Sequence, residues 1–325
     1  MNKKHVIIFL ILVLAVGVAS GFFIAKKYAN KKCVLSNFKY ISEDLTCNST
    51  PVVSKKSYTS FKNKLDSKVQ EKIDENKIKT AAVYFRDLRQ GPTFGIREYD
   101  KYAPASLLKL PILLTYLSLE DNIPELSQVR LYYKDSGYPT EQYYPPKKTL
   151  QENVPYSIEE LLDYMIVYSD NRAYYVLLDY LVEISPNKDL LQETYFDLGL
   201  IDPQTPADNT ITVKSYSAIF TQIFFGSFLD KNGMSEHALS LLAQSDYDVG
   251  IKAGVPKDVE VAHKFGERSG FEGDLKQLHD CGIIYYPENP YLLCVMTQGQ
   301  NFDDLSATIG MISKMVYEEF DSRKN

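Results

Sequence analysis

Residue types that support metal or nucleic-acid chemistry are scarce in this sequence. The 325 residues include four His and four Cys. His237, His263 and His279 stand at none of the spacings that bind zinc, which favours satisfied structural histidines. No basic run is interleaved with aromatic residues, and the formal net charge is −6, which argues against a nucleic-acid partner. The glycines from 266 to 273 lack the context of a nucleotide loop. We therefore expect no metal, no cofactor and no nucleic acid.

One long apolar run lies near the N-terminus. Val6–Ala25 carries no charged residue, and its length matches the ~20 residues of a membrane-spanning helix. The apolar part of a cleaved signal peptide is shorter, about 7–15 residues. We therefore predict an uncleaved signal anchor over residues 1–27, with cleavage after Val18-Ala19-Ser20 as the alternative. Lysines flank both sides of the run, so their charges do not decide its orientation.

The remainder of the chain divides by composition. Residues 28–56 are polar and rich in turn formers, which predicts a linker. We predict that residues 57–325 form one domain, since a chain with 45% hydrophobic residues can bury a large core.

The four cysteines form two closely spaced pairs. Cys33 and Cys47 bracket a short segment after the apolar run, whereas Cys281 and Cys294 lie on two strand-like runs that can face each other across a hairpin. Both spacings permit disulfides in an oxidising compartment. Buried free thiols remain the alternative for each pair.

Periodicity and turn residues predict an α+β fold. A helix from Tyr58 to about Asn76 precedes two strands, Thr80–Arg86 and Thr93–Tyr99. Most of the middle is helical, and short hairpin connections join the three late strands to each other. The prediction is a five-stranded antiparallel sheet flanked by helices in three layers, plus a mainly helical subdomain.

The stretch between the early strands and the helical block carries the first chemical signal. Ser106 and Lys109 lie three residues apart at the start of an apolar helix, so their side chains can meet on one face. A desolvated lysine tends to be neutral, and a neutral amine beside a hydroxyl can activate it as a nucleophile. By itself the pair decides nothing, because an isolated Ser-x-x-Lys is in most cases an N-cap serine followed by a lysine that extends to solvent.

A tyrosine-rich tract and two polar interruptions follow. Residues 121–156 carry six tyrosines beside several prolines, which suits either a cleft lining or a surface excursion. Ser169-Asp170-Asn171 interrupts two apolar helices, and an interhelical turn capped by Ser169 or Asp170 explains it without any activity. Lys264-Phe265-Gly266 lies in a predicted late strand.

Together these three motifs carry a resemblance. Ser106-x-x-Lys109, Ser169-Asp170-Asn171 and Lys264-Phe265-Gly266 are similar to the Ser-x-x-Lys, Ser-Asp-Asn and Lys-Thr-Gly trio of serine β-lactamases and penicillin-binding proteins. The sequence resembles class A β-lactamases most closely, over roughly residues 57–325. His263 and Glu267 beside the third motif, and His279-Asp280 on the next strand, extend the likeness.

The resemblance implies a set of catalytic residues. Ser106 is expected to form the acyl-enzyme, and Lys109 to hold or accept its proton. Ser169 is expected to relay a proton to the leaving nitrogen, and Lys264 to supply positive potential. Asp170 is expected to be structural.

The resemblance also implies substrate contacts. Asn171 is expected to position Lys109 and the amide of the substrate. Gly266 belongs to the strand that binds substrate, and the backbone N–H groups of Ser106 and Glu267 are expected to form the oxyanion hole.

Two departures from the class A pattern concern turnover. The segment from Gly199 to Ile211 contains no Glu, whereas class A enzymes use a loop glutamate to remove the acyl group; Asp202 or Asp208 is a candidate substitute. Phe265 stands where the family has a hydroxyl that bonds the substrate carboxylate, and Arg268 is a candidate replacement.

The prediction is a serine hydrolase that forms an acyl-enzyme with β-lactams or cell-wall stem peptides and deacylates slowly. A membrane-tethered D,D-carboxypeptidase or transpeptidase, and a non-catalytic sensor of cell-wall fragments, are the alternatives. The resemblance implies a monomer on the outer side of a bacterial cell membrane, held by one N-terminal helix, or a secreted protein if that segment is cleaved.

Overall fold

The computed structural model describes most of the chain after residue 56. The described residues are 17, 38–42, 57–89, 91–120, 124–186, 188–200, 210–229, 233–271 and 274–323. The chain divides into two compact units, and the elements below belong to the unit made of residues 38–42 and 50–325. The other unit, residues 1–37 and 43–49, lies outside the described residues apart from Gly17.

The described residues form eight α-helices and seven strands. The helices are α1 Thr59–Asp74, α2 Lys109–Glu120, α3 Ile158–Val167, α4 Asn171–Ile184, α5 Leu190–Asp197, α6 Val213–Phe224, α7 Met234–Ala243 and α8 Phe302–Ser322. The strands are β1 Thr80–Asp87, β2 Thr93–Ile96, β3 Arg130–Tyr132, β4 Pro155–Ser157, β5 Val261–Phe271, β6 Leu275–Ile284 and β7 Tyr291–Gly299. Short 3₁₀ turns cover Ala105–Leu108, Pro124–Gln128 and Ile251–Gly254.

Five of these strands form the main sheet, in the order β2-β1-β7-β6-β5 with every pair antiparallel. The predicted fold class is therefore confirmed. Strands β2 and β5 form the two edges of this sheet. A smaller antiparallel sheet of β3 and β4 lies within the tract predicted to be irregular. Three-residue strands leave too short an alternation to be recognised in a sequence.

Both faces of the main sheet are covered. On one face, β-strand residues such as Ala82 and Met296 join a core built with the middle helices; on the other, Val83 and Val295 join a core with α1 and α8. Side chains alternate between faces along each strand. Neighbouring residues of β5 can therefore serve different layers, and the site uses this alternation.

Local signals explain several helix boundaries. Ser157 and Glu160 form the capping box at α3, with Glu160 N 3.1 Å from Ser157 Oγ. Asp170 caps α4 by accepting the backbone N–H of Arg172 at 2.9 Å. Pro111 is the third residue of α2, where its missing N–H costs little.

Cys281 and Cys294 face each other between β6 and β7 and are joined by a disulfide. For this pair the structure decides between the two predicted alternatives. Cys33 and Cys47 lie outside the described residues.

Residues 38–42, from the segment predicted as a linker, pack against the domain. The Glu236 carboxylate accepts the backbone N–H groups of Lys39, Tyr40 and Ile41 at 2.6–3.0 Å. The Tyr285 hydroxyl donates to the Tyr40 carbonyl at 3.0 Å. The domain boundaries predicted from composition stay a prediction.

Within the described ranges, no helix combines the length and apolarity needed to span a bilayer. The predicted anchor at residues 6–25 lies outside those ranges apart from Gly17.

Candidate active site

Ser106 lies in the 3₁₀ turn that leads into α2. Ala105, just before it, has φ of 50°, and Ser106 itself is partly exposed. The Tyr216 hydroxyl donates to the Leu107 carbonyl at 2.9 Å, which fixes the turn from the side of α6. Ser106 Oγ is hydrogen-bonded to none of the described residues. A partly exposed hydroxyl on a fixed turn is accessible to a substrate.

Two side chains of β6 hold the residues ahead of this turn. Gln277 Oε1 accepts the backbone N–H of Ala103, and His279 Nε2 donates to the Ala103 carbonyl, both at 3.0 Å. Burial lowers the pKa of His279 to about 4, so the imidazole is neutral at ordinary pH. No local pattern singles out Gln277, because its partner Ala103 is 174 residues away along the chain.

Lys109 is the first residue of α2 and is 1% exposed. Its Nζ donates to the Ser169 carbonyl at 2.5 Å, to Ser169 Oγ at 3.2 Å and to Asn171 Oδ1 at 2.7 Å. Burial lowers the pKa of Lys109 well below 10.5, and the Lys264 ammonium lowers it further. The amine therefore joins the second motif, while no hydrogen bond to Ser106 is made.

The turn that carries Ser169 is held in an unusual backbone conformation. Ser169 has φ of 55° and is fully buried. The Asp170 carboxylate accepts from Thr149 Oγ1 at 3.1 Å, Leu150 N at 2.9 Å and Arg172 N at 2.9 Å. These bonds offset the cost of the left-handed residue. Asp170 is thus structural in this geometry.

Lys264 reaches the same hydroxyl from β5. Its Nζ donates to Ser169 Oγ at 2.8 Å and to the Phe265 carbonyl at 3.1 Å. Burial lowers the pKa of Lys264 from 10.5 to about 7, against the opposing effect of the Asp280, Asp246 and Glu267 carboxylates. One hydroxyl therefore lies between two buried amines of reduced basicity, and such an arrangement can hold and pass a proton.

The β5 backbone packs directly against the serine turn at Gly266. A Cβ on Gly266 would lie 3.0 Å from Leu107 N and 3.1 Å from the Pro104 carbonyl oxygen. Glycine permits this close approach because it has no side chain. The strand that contains the predicted oxyanion donor Glu267 thus lies beside Ser106.

Phe265 and Arg268 both lie on β5, and the centroid of the Phe265 ring is 4.5 Å from Lys264 Nζ. The Phe265 ring is 3% exposed and stacks on Tyr247 with centroids 3.9 Å apart. Arg268 is exposed on β5, where the pairing with β6 changes register. Its predicted role in binding a carboxylate stays a prediction. Asp202 and Asp208, the candidates for the missing loop glutamate, lie outside the described residues.

Behind the site lies a buried pair whose contact sequence reasoning missed. His263 Nδ1 and Asp280 Oδ1 are 2.9 Å apart, and both side chains are fully buried. Asp280 Oδ2 accepts the backbone N–H of Ile251 at 2.8 Å. Both residues stand in the motifs quoted above, but only the pairing of β5 with β6 shows that they meet.

The comparison with protein families decides the relationship. The model of the β-lactamase enzyme family matches residues 64–320. The chain belongs to this family. That match includes all three motifs. No curated protein is significantly similar to the chain.

Solved structures of similar fold agree with the family. A leucine-to-glutamate mutant of PBP-A, solved as an acyl-enzyme complex with penicillin G, is 22% identical, with 84% of this chain and 100% of that chain covered and a TM-score of 0.66. A class A β-lactamase from Mycobacterium abscessus is 21% identical, with 79% and 99% covered and a TM-score of 0.65. A β-lactamase from Chitinophaga pinensis is 20% identical, with 79% and 99% covered and a TM-score of 0.65. At this identity the likeness concerns the fold alone.

Proposed function

We propose that this chain is a class A β-lactamase-like serine hydrolase that forms an acyl-enzyme on Ser106. The observation that carries the proposal is the Ser169 hydroxyl, which lies between the amines of Lys109 and Lys264 at 3.2 Å and 2.8 Å. Two buried amines that donate to one neutral hydroxyl would destabilise the fold, because the charged form of each is desolvated without a carboxylate in direct contact. The same arrangement suits proton transfer.

We infer the course of acylation from the three motifs, and it requires Lys109 Nζ, which here donates to Ser169 and Asn171, to turn to Ser106 Oγ. Neutral Lys109 takes the proton of Ser106 Oγ, which attacks the carbonyl carbon of an amide, and the negative oxygen is stabilised by the N–H groups of Ser106 and Glu267. The proton then passes from Lys109 through Ser169 Oγ to the leaving nitrogen. The Oγ–C bond forms, the C–N bond breaks, and no proton is gained or lost overall.

Deacylation is proposed to be slow. The segment 199–211 contains no Glu, so the family's usual base for the attacking water is missing. The acyl-enzyme is therefore expected to accumulate. The acyl donor is a β-lactam or a peptidoglycan stem peptide.

A D,D-peptidase acting on stem peptides is the second candidate. The missing loop glutamate favours it, since that reaction needs the three motifs alone. The fold likeness to PBP-A is compatible with it. Release of D-alanine from a stem pentapeptide would identify this activity.

The location is part of the proposal. The uncharged run at residues 6–25 supports a single-pass anchor in a bacterial membrane with the catalytic domain outside. The Cys281–Cys294 disulfide supports an oxidising compartment. Alkaline extraction of cell membranes would separate an anchored chain, which stays with the membrane, from a cleaved and secreted one.

Mass spectrometry of the intact chain during incubation with benzylpenicillin tests the chemistry. The expected result is an adduct on Ser106 that forms readily and decays slowly, and that Ser106→Ala does not form. An adduct on another residue would overturn the proposal. Rapid decay of the adduct would overturn slow deacylation alone.

A further inference from the structure

Three consecutive residues of the tyrosine-rich tract, Gln142 to Tyr144, connect two walls of the site; we name them the strap. Gln142 Nε2 donates to the Ser169 carbonyl at 3.2 Å. The Glu267 carboxylate accepts the backbone N–H of Tyr143 at 2.7 Å and of Tyr144 at 3.1 Å. One end of the strap is therefore fixed to the turn of the second motif and the other to β5.

The two fixed points adjoin residues of the three motifs. The Ser169 carbonyl that binds Gln142 also accepts from Lys109 Nζ. Glu267 is next to Gly266, which packs against the serine turn. Because β5 is an edge strand, an extended substrate would lie along its free side, and the strap joins this strand, through the Glu267 carboxylate, to the Ser169 turn.

Charge and ring packing hold the strap in place. Hydrogen bonds from N–H groups to a carboxylate are about twice as strong as neutral ones. The Tyr143 ring packs on Phe302 with centroids 4.6 Å apart, and the Tyr144 ring packs on Tyr247 at 5.1 Å. Burial raises the pKa of Glu267, and the backbone N–H groups of Tyr144 and Tyr143 oppose this shift by stabilising the carboxylate.

We propose that Glu267 is a specificity-determining residue whose side chain holds the strap across the cleft and restricts Ser106 to compact acyl donors. This inference rests on the proposed function, since it concerns which donors reach Ser106. The role belongs to the side chain and is separate from the oxyanion role of the backbone N–H, which every substitution except proline retains.

The test compares two β-lactams with one nucleus, 6-aminopenicillanic acid and a penicillin that carries a bulky fluorescent dye. In the full chain, Glu267→Ala is expected to raise the acylation rate constant of the bulky reagent relative to the compact one by about tenfold. Gln142→Ala frees the other end of the strap and should change the ratio in the same direction. Glu267→Gln keeps an acceptor oxygen without the charge, so a smaller rise is expected.

Exposed Glu141 is the matched control, since Glu141→Gln removes a neighbouring charge and should leave the ratio unchanged. Continued acylation of each variant by the compact reagent shows that it is folded. A ratio that is unchanged or lower in both Glu267→Ala and Gln142→Ala would overturn the inference.

Access to position 106 can be measured without acyl transfer. In the Ser106→Cys variant, a small methanethiosulfonate and a bulky maleimide can each modify the introduced thiol, and mass spectrometry locates the modification. The ratio of the two modification rates, bulky to small, then reports how well large reagents reach this position. If no β-lactam labels the wild-type chain, the proposed function fails. If adding Glu267→Ala raises the ratio of bulky to small thiol modification, the restriction of access by the strap is supported even then. An unchanged ratio would reject this restriction.

Discussion

Two adjacent residues of β5, His263 and Lys264, belong to buried polar clusters of opposite kinds. His263 contacts the Asp280 carboxylate at 2.9 Å, so a group that can carry positive charge has a negative partner. Among the described residues, the hydrogen bonds of Lys264 Nζ and Lys109 Nζ go to neutral oxygens, those of Ser169, Asn171 and Phe265. Alternation along the strand sends the two neighbours to different layers. We expect the first cluster to contribute to stability and the second, under the proposed function, to exchange protons.

The largest expected effect is on the reaction. Lys109→Met keeps the length of the side chain but removes the amine, so acylation by benzylpenicillin should slow by about 1,000-fold. The measurement is the second-order rate constant of adduct formation, with Lys64→Met on the exposed part of α1 as the control. A loss below about tenfold would show that Lys109 is not the base.

Mutation of the His263–Asp280 cluster should lower the stability of the fold. Asp280→Ala leaves His263 and the backbone N–H of Ile251 buried without their acceptor, and the free energy of unfolding should fall by about 3–5 kcal/mol. Denaturant unfolding measures it. If Asp280→Ala were as stable as the parent chain, the contrast between the two clusters would be wrong.

A third experiment concerns pH. Because the pKa of Lys264 is about 7, its positive charge is lost above that pH, and acylation by an anionic β-lactam should decline there by up to about tenfold per pH unit. Lys264→Arg stays charged, so a folded arginine variant should lack this decline. The rate constant between about pH 5 and 9 tests it, and the same alkaline limb in both proteins would contradict the assignment.

The same lysine affects stability with a definite sign. Between pH 7 and 10.5 the unfolded chain binds a proton at this residue that the folded chain does not. The contribution of Lys264 to the free energy of unfolding therefore rises with pH across this window.

The smallest expected effect on rate comes from Phe265. Phe265→Thr introduces a hydroxyl beside Lys264 and should raise acylation by a carboxylate-bearing β-lactam about three- to tenfold. The methyl ester of the same β-lactam is the matched control and should gain nothing. Loss of the stack on Tyr247 should lower stability by about 3 kcal/mol. Equal gains for acid and ester would rule out a carboxylate contact.

Local chemistry explains what the sequence could predict. The capping residues Ser157 and Asp170 act within three residues along the chain, so the helix starts follow from the sequence. The hairpin between β6 and β7 likewise set Cys281 opposite Cys294. The three motifs were recognisable because each is short and contiguous.

Contacts between distant segments could not be predicted. The spacing of Ser106 and Lys109 suggested a direct contact, but the amine turns to Ser169, 60 residues away, because the buried turn offers more acceptors. The bond from Tyr143 to Glu267 spans 124 residues. The left-handed backbone at Ser169 is set by the bonds of Asp170, which the sequence alone does not display.

The imidazole that holds Ala103 also sets a limit on acid tolerance. The unfolded chain protonates His279 near its ordinary pKa of 6.5, whereas the folded chain resists until about 4. As the medium is acidified through this interval, the unfolded state gains a proton that the native state refuses, and native stability declines. Below about pH 4 the His279 imidazole becomes a buried cation beside the residues that hold the Ser106 turn. Acid inactivation should therefore begin at the serine turn.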